Sequence, residues 1–327
     1  MLLLWAAGAT AAPDVSYRLR QIDANPPGTL PIFVTDLNDK GVVVGLSDAG
    51  NTTARHAFLW RHGKYVDLNA RIDGAVVSQA SGLNNRSEVI GVYFDAQGTE
   101  RNFLLRKGKF IQVDCSAEDI NNRGWIAGLP CIWDSGRVTI LPPLQDAGSA
   151  GVSQVREIND RGVVVGTSSL APFSLRAVIW EKGQIMNLGV LPGFFDSRGR
   201  GINNRGQVIG TLEGGLSTSG FLWEDGVMTL LPRLAPEKVS APLSINDVGE
   251  IVGISEFPQG GGAAATLWDD ERQVFDLNEL IRSNDPLRPF VRVQSALLIN
   301  NRGQIVATGV DSRDPTRNGM YLLSPRN

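Results

Sequence analysis

Histidine and cysteine are both scarce in this chain of 327 residues, which contains two of each. His56 and His62 lie close together, and Cys115 and Cys131 lack the CxxC spacing of zinc ligands. This shortage argues against a zinc centre and offers little basis for a Ser/His/Asp triad. The sequence also contains no EF-hand, Walker or dinucleotide-binding motif. We therefore predict no catalytic residue, no metal site and no cofactor, although a calcium ion held by loops stays open.

An excess of charge and long hydrophobic runs are missing too. The chain has 31 Lys and Arg against 34 Asp and Glu, without a long basic run, so we expect no nucleic-acid partner. No segment approaches the ~18 consecutive apolar residues that suggest a transmembrane helix, so we expect no membrane span. The hydrophobic fraction of 42% is nevertheless sufficient for a sizeable core.

The first residues have the composition of an export signal. Residues 2–7 are apolar, and Ala9-Thr10-Ala11 resembles a cleavage site, although no Lys or Arg precedes the apolar run. We interpret residues 1–14 as the remnant of a signal peptide or as a disordered terminus, and we predict a periplasmic or extracellular location. In an oxidising compartment Cys115 and Cys131 can form a disulfide, while the alternative is two buried thiols.

One nine-residue motif recurs seven times, at spacings of 37 to 54 residues. Each copy begins with an aliphatic residue that is followed by Asn. The next position is Asn or Asp, and after one further residue come Gly, in most copies, and then apolar residues. The spacing is typical of the four-stranded blades of β-propellers. The copies begin at Leu37, Leu83, Ile120, Ile158, Ile202, Ile245 and Ile299.

Each copy has the chemistry of a tight hairpin. The side chain of the first Asn can accept a bond from the backbone two residues on, which initiates a turn. Gly three residues after this Asn can adopt a left-handed conformation without steric cost. Ser87 replaces that Gly in the second copy, so this hairpin is expected to be strained or to use another turn. The alternative interpretation of the seven Asn residues is a ring of ligands, but we favour the role in turns.

A second motif follows each hairpin, in the form of an apolar strand that ends in Trp or Leu. A short turn and a further strand come after it, so the repeating unit has four strands, A to D. With one Trp or Leu per unit, we expect packing between blades rather than a set of sugar-stacking rings. These positions are Trp60, Leu105, Trp133, Trp180, Trp223, Trp268 and Leu323.

The two ends of the chain complete each other. The seventh unit lacks a strand D, whereas Ser16 to Asp23 forms a predicted strand with no A, B or C before it. Pairing these segments closes a ring and removes exposed strand edges. We therefore predict an all-β fold, with residues 15–327 forming a single seven-bladed β-propeller. An open β-solenoid is the rival fold.

These motifs resemble those of the HAF-repeat family, named after a His-Ala-Phe tripeptide that occurs here as His56-Ala57-Phe58. The other copies keep the Asn-Asx-x-Gly and Phe-Leu-Trp patterns without the His. The resemblance covers nearly the whole chain. It implies a propeller-like, extracytoplasmic repeat protein of bacterial type, and it implies no catalytic residues.

The cysteine pair belongs to the third repeat. Cys115 precedes strand A and Cys131 begins strand C, so strand B separates them by ~9–10 Å in a regular sheet. A disulfide needs Cα atoms closer than ~7 Å. The bridge therefore forms only if the incoming loop folds over strand B, and the sequence leaves this open.

Loops of variable length connect strands B to C and D to A, and in a propeller they share one face. Variable loops on a rigid scaffold commonly carry function. We predict that this face binds a protein or glycan ligand, and that the chain is a monomeric, exported, non-catalytic binding module. The alternative readings are ordinary loop anchors and, for the function, a carbohydrate-active hydrolase or lyase in the channel mouth. The candidate binding residues are Arg55, Tyr93, Phe94, Arg101, Phe173, Arg176, Phe194 and Phe257.

Overall fold

The computed structural model describes residues 15–22, 31–48, 55–144, 153–171, 174–214, 217–237, 239–256 and 262–326. Seven sheets of four antiparallel strands form a ring, which confirms the predicted seven-bladed β-propeller. A short 3₁₀ helix at Asn69–Arg71 follows the first blade. Within these residues no helix has the length and apolar character to cross a membrane. The predicted signal remnant at residues 1–14 lies outside the described residues.

Each blade runs from an innermost strand A beside the central channel to an outermost strand D. Blade 1 consists of β2 (Pro31–Leu37), β3 (Val42–Asp48), β4 (Arg55–Arg61) and β5 (Lys64–Asp67). Blade 2 consists of β6 (Val77–Leu83), β7 (Val89–Phe94), β8 (Glu100–Arg106) and β9 (Lys109–Val113). Blade 3 consists of β10 (Asp119–Ile120), β11 (Ile126–Gly128), β12 (Cys131–Asp134) and β13 (Arg137–Ile140). Blade 4 consists of β14 (Ser153–Ile158), β15 (Val164–Ala171), β16 (Ser174–Glu181) and β17 (Gln184–Asn187). Blade 5 consists of β18 (Asp196–Ile202), β19 (Val208–Gly214), β20 (Ser217–Glu224) and β21 (Val227–Leu230). Blade 6 consists of β22 (Val239–Ile245), β23 (Ile251–Glu256), β24 (Ala263–Trp268) and β25 (Val274–Asp276). Blade 7 consists of β26 (Val291–Ile299), β27 (Ile305–Asp311), β28 (Asp314–Arg326) and β1 (Ser16–Gln21).

The ring is closed by the N-terminal strand, as predicted. β1 pairs antiparallel with β28, with Leu19 opposite Leu323. The connection from blade 6 to blade 7 holds the outer side of β1, because the buried Asp285 carboxylate accepts the Leu19 N–H at 2.9 Å. Tyr17 also donates its N–H to the Leu280 carbonyl at 2.8 Å. The closing strand is therefore bonded on both of its edges.

The core of the described chain consists of hydrophobic clusters that each lie between two neighbouring blades. Trp60, Trp180 and Trp268 are fully buried in these seams. The indole N–H groups of Trp180 and Trp268 donate to the carbonyls of Pro142 and Pro232, so their polar atoms are satisfied. The predicted packing role of the Trp and Leu positions is confirmed, with Trp223 half-buried.

The structure shows a disulfide between Cys115 and Cys131, with Cα atoms 6.0 Å apart. Blade 3 has unusually short inner strands, and β11 ends at Gly128, just before the turn into β12. The backbone of Ser116 lies against Gly128, so the incoming segment passes beside the end of β11 and reaches the start of β12. Short strands thus bring together two cysteines that a regular blade would hold apart.

Candidate functional site

The hairpins between strands A and B meet at one end of the channel, which we call the turn end. Asn38 Oδ1 accepts N–H bonds from Lys40 at 3.0 Å and Val42 at 3.1 Å, as predicted for a turn initiator. Gly41 has φ +69°, in the left-handed region. Ser87 adopts φ +60° in the same turn, and its N–H still reaches the Asn84 carbonyl at 2.9 Å. The second hairpin therefore keeps the same turn as the other copies, with Ser87 held in a strained backbone conformation. The expected strain is confirmed, and the alternative of a different turn is wrong.

The same Asn side chains form a closed ring of hydrogen bonds between blades. Each Nδ2 donates to the backbone carbonyl of the equivalent Asn in the next blade, at 2.9–3.2 Å. Asn300 closes the ring by donating to Asn38 at 2.9 Å. Asp at this position would lack the donor, which explains why Asn is repeated. The ring members are Asn38, Asn84, Asn121, Asn159, Asn203, Asn246 and Asn300, all buried.

The next residue of each hairpin forms a second closed ring. Its backbone N–H donates to the side-chain Oδ1 of the equivalent residue in the following blade, at 2.7–2.9 Å. Each Asp in this ring lies between two Asn residues whose amides donate to its second oxygen. Asp and Asn alternate around this ring. Because seven is an odd number, two residues of the same type must be neighbours at one point, and these two are uncharged Asn rather than charged Asp. In order the residues are Asp39, Asn85, Asn122, Asp160, Asn204, Asp247 and Asn301.

Three carboxyl groups lie one step deeper in the channel and bridge neighbouring blades. Asp36 accepts the N–H groups of Leu37 at 2.7 Å and of Leu83, in the next blade, at 2.6 Å. Asp119 similarly accepts N–H bonds from its own blade and from the next, at 2.7 and 2.8 Å. Glu157 accepts an N–H bond from blade 5 at 3.0 Å.

The three carboxyl groups are enclosed by protein although they still touch the channel. Desolvation raises the pKa of Asp36 to about 7, and the charge of Asp119 adds to this effect. Desolvation raises the pKa of Asp119 to about 6, against the lowering effect of its two N–H bonds. Desolvation, followed by the charge of Asp119, also raises the pKa of Glu157. Carboxyl groups with raised pKa values occur in active sites, but here the carboxyl oxygens accept bonds that join neighbouring blades.

Together these layers surround a polar cavity of about 140 Å³ at the turn end. Its lining repeats the same hairpin residues from all seven blades. The side-chain oxygens and amides described above bond to other protein groups, so this end of the channel has a structural role. Within the described residues, no set of three or more His, Cys, Asp or Glu side chains is arranged to hold a metal ion.

The opposite end, which we call the loop end, carries the B–C and D–A connections. Between the loop end and the carboxyl layer, strand A of most blades has a one-residue β-bulge, three positions before the ring Asn. A bulge changes the direction of the extra side chain. In blades 1 and 2 this residue is Thr35 or Ser81, whose hydroxyl donates to a backbone carbonyl of the next blade.

In blades 4 and 5 the bulged residues are Arg156 and Arg200. Arg198, two positions before Arg200, completes what we call the arginine cluster. Arg198 makes a two-pronged ion pair with Glu213, at 2.9 and 3.3 Å. Burial lowers the pKa of Arg200 from its ordinary value, and the charges of Arg156 and Arg198 lower it further. The buried Nε of Arg200 has no hydrogen-bond partner among the described residues.

A recess of about 200 Å³ opens beside the arginine cluster. Its lining comprises Glu118, Leu129, Gln154, Val155 and Arg156. Gln154 accepts a bond from Arg156 at 3.2 Å, which helps to orient that guanidinium. The recess therefore combines the apolar side chains of Leu129 and Val155 with polar and charged groups, including the guanidinium of Arg156.

Exposed aromatic rings also occur at the loop end. Phe33, in strand A of blade 1, is 59% exposed, and Phe195, just before strand A of blade 5, is 71% exposed. Phe290, just before strand A of blade 7, stacks under the guanidinium of Arg313 at 4.5 Å. Such flat apolar surfaces suit ligands with apolar faces, including sugar rings.

Three of the eight predicted binding residues are arginines at the start of strand C. Arg55 is exposed as the first residue of β4. Arg101 pairs with Asp95 at 3.1 Å, and Arg176 donates to the carbonyl of Phe195 at 2.8 Å. Arg101 and Arg176 thus anchor loops.

The aromatic candidates are placed in different ways. Phe94 is 37% exposed at the end of β7, and Phe194 packs half-buried against the seam between blades 4 and 5. Tyr93 is only 4% exposed and contacts Phe103 and Phe110, so it belongs to the core and cannot meet a ligand. Phe173 and Phe257 lie outside the described residues.

The arginine cluster and Phe33 were absent from the predicted set, which concentrated on loops. The signal available in the sequence is an Arg three residues before the ring Asn in two consecutive repeats, at Arg156 and Arg200. The acidic residues Asp36, Asp119 and Glu157 share a similar signal, two positions before the ring Asn.

The comparisons with known proteins agree with the fold. No protein-family model and no curated protein sequence matches the chain. The chain is similar to the β-propeller domain of the Trilobed protease from Pyrococcus furiosus, described as having an open velcro topology, with 9% identity, coverage of 91% of this chain and 96% of that chain, and a TM-score of 0.56.

Two weaker structural matches are a gluconolactonase from Xanthomonas campestris and the Aleuria aurantia lectin. The first has 10% identity, 96% coverage of both chains and a TM-score of 0.40. The second has 8% identity, 95% coverage of both chains and a TM-score of 0.40. Similarity at this level concerns the propeller fold and carries no argument about a ligand.

Proposed function

We propose that this protein is an exported, non-catalytic binding module whose ligand site is the loop end of the channel. The observation that carries the proposal is the contrast between the two ends. At the turn end, the ring side chains and the bridging carboxyl groups bond to other protein groups. On the loop-end side of the carboxyl layer, the Nε of Arg200 has no partner among the described residues, and at the loop end aromatic rings are exposed. Unused polar groups beside apolar surface are characteristic of ligand sites.

The disulfide supports the export part of the proposal. Disulfides persist in oxidising compartments and are rare in the cytosol of mesophiles. The bond between Cys115 and Cys131 therefore fits a periplasmic or extracellular protein. The HAF-repeat resemblance and the composition of residues 1–14 favour the same location.

A glycan array probed with the full chain tests the proposed site. We expect binding to be lost or strongly reduced in Phe33→Ala and Phe195→Ala, because both rings are exposed at the loop end. Val248→Ala is the matched control, since Val248 is 52% exposed on a hairpin of the turn end. Equal binding by all three variants, or loss only in Val248→Ala, would show that the ligand does not occupy the loop end.

A carbohydrate-active enzyme is the second candidate. The observation that favours it is the raised pKa of Asp36 and Asp119 in the channel, since general acids in glycosidases have raised pKa values. Incubation with a polysaccharide panel, followed by chromatography of the products, distinguishes the two functions. Turnover by the wild type that disappears in a folded Asp119→Asn variant would establish the enzyme and refute the binding module.

A further inference from the structure

The arginine cluster brings three positive charges together, and among the described residues one acid, Glu213, lies within ion-pair distance of them. Arg156 and Arg200 occupy the same bulged position in neighbouring blades, so the repeat itself places them side by side. Within the described part of the chain, neither makes an ion pair with an acidic side chain within 4.0 Å. Only Arg198 has an acidic partner, Glu213. Like charges in a partly buried site repel each other and destabilise the fold.

The neighbouring acids do not resolve this imbalance. Glu118 lines the same recess, but it bonds to the Ser116 hydroxyl at 3.3 Å and is not within ion-pair distance of Arg156. Glu157, the next residue after Arg156, accepts the N–H of Ile202. Among the described residues, the guanidinium of Arg156 makes only its bond to Gln154 and the Nε of Arg200 makes none, so these groups have donors to offer an external anion.

We propose that Arg156 and Arg200 bind the carboxylate of an acidic sugar, such as a uronic acid residue of a polysaccharide. This inference rests on the proposed binding function and specifies its ligand class. A carboxylate matches the planar fork of a guanidinium and can accept two parallel bonds from it. The recess of about 200 Å³ beside Arg156 offers room for a sugar ring. The exposed rings of Phe33 and Phe195 at the same end favour a glycan over a simple inorganic anion.

Calorimetric titration of the full chain with oligogalacturonate, oligomannuronate and oligoglucuronate tests the proposal. At least one of the three is expected to bind, and its fully methyl-esterified form is expected to bind at least tenfold more weakly, equivalent to about 1.4 kcal/mol. Arg156→Gln and Arg200→Gln should each reduce affinity at least tenfold. Arg161→Gln, in the exposed turn-end hairpin of the same blade, carries the same charge change and should leave affinity unchanged.

Thermal unfolding separates binding from a structural role. Arg200→Gln removes a repelling, partly unpartnered group, so its melting temperature should equal or exceed that of the wild type. A lower melting temperature, or binding that the Arg substitutions leave intact, would refute the proposal. So would failure of all three oligouronates, or tighter Arg-dependent binding of poly-glutamate, which would indicate an acidic protein ligand.

The outcome also separates this inference from the proposed function. A neutral glycan that requires Phe33 and Phe195 but tolerates both Arg substitutions would preserve the loop-end site while overturning the acidic ligand. Glycan binding that depends on none of the loop-end residues would overturn both the loop-end site and the acidic ligand.

Discussion

Raising the pH from 5 to 8 should destabilise the folded protein, because Asp36 and Asp119 must lose their protons inside the channel. Both have pKa values of 3.8 as free side chains, against about 7 and about 6 in the fold. Between these values the folded state binds more protons than the unfolded state, so stability falls as the pH rises. The full stabilisation is present below the unfolded pKa and is lost as the pH passes through the folded pKa.

The size of the effect follows from the two pKa values. Between pH 5 and pH 8, Asp36 should reduce the free energy of unfolding by about 3 kcal/mol and Asp119 by about 1 kcal/mol. Together they correspond to about 4 kcal/mol, a large part of the stability of an ordinary domain. Glu157 changes in the same direction, since its pKa is raised as well.

Urea unfolding, followed by tryptophan fluorescence at pH 5, 6, 7 and 8, measures this loss. Asp36→Asn should make the pH dependence shallower by about 3 kcal/mol across the window. At pH 5 this variant should be less stable than the wild type, because its amide can accept only one of the N–H bonds from Leu37 and Leu83. At pH 8 the difference should shrink.

Glu100→Gln removes an exposed carboxyl group at the start of β8 and should leave the pH slope of the wild type unchanged. The reasoning is refuted if stability is flat or increases from pH 5 to 8. It is equally refuted if Asp36→Asn and the wild type show the same slope.

Three further predictions concern stability. Ser87→Gly should stabilise the protein by roughly 1 kcal/mol, because it relieves the left-handed conformation at φ +60°, and an unchanged urea midpoint would contradict this. Replacing both Cys115 and Cys131 by Ser should cost about 3 kcal/mol, given their separation of 16 residues, and dithiothreitol should lower the midpoint of the wild type but not of the variant. Asp285→Ala should cost about 2 kcal/mol and speed hydrogen exchange at the Leu19 amide, whereas unaltered exchange would show that Asp285 does not hold the closing strand.

The number of blades and the order of strands could be predicted because their signals are local. An Asn and a Gly three residues later define a turn wherever the chain goes, and apolar strands on both sides define the hairpin. Counting such turns counts the blades. The unpaired strand at Ser16 and the missing strand D of the last repeat then indicated the closure, which Leu19 and Leu323 confirm by lying opposite each other.

The roles of the same residues between blades were not predictable in this way. Asn38 and Asn300 are separated by 262 residues, and their bond exists only because the ring closes. The disulfide was undecided for a related reason. Regular strand spacing separates Cys115 from Cys131, and only the shortness of β11 in the structure removes that separation.

The propeller scaffold of the predicted ligand face is confirmed, while the ligand face itself stays a prediction. Loop length predicted this face, but in the structure Tyr93 lies in the core and Arg176 donates to a backbone carbonyl. The arginine cluster lies in strand A, where a one-residue bulge redirects Arg156 and Arg200. A bulge depends on the register of two strands, and a linear pattern does not show that register.

By itself, the sequence determined seven hairpins, seven four-stranded units and the means of joining their ends, because turn chemistry and alternating hydrophobicity act over a few residues. The tertiary structure decided which polar groups meet around the channel, which of them satisfy one another and which remain available. Those outcomes depend on the approach of blades that are distant in the chain. They distinguish a channel end held by closed hydrogen-bond rings from the opposite side, where Arg156 and Arg200 have no ion-pair partner among the described residues.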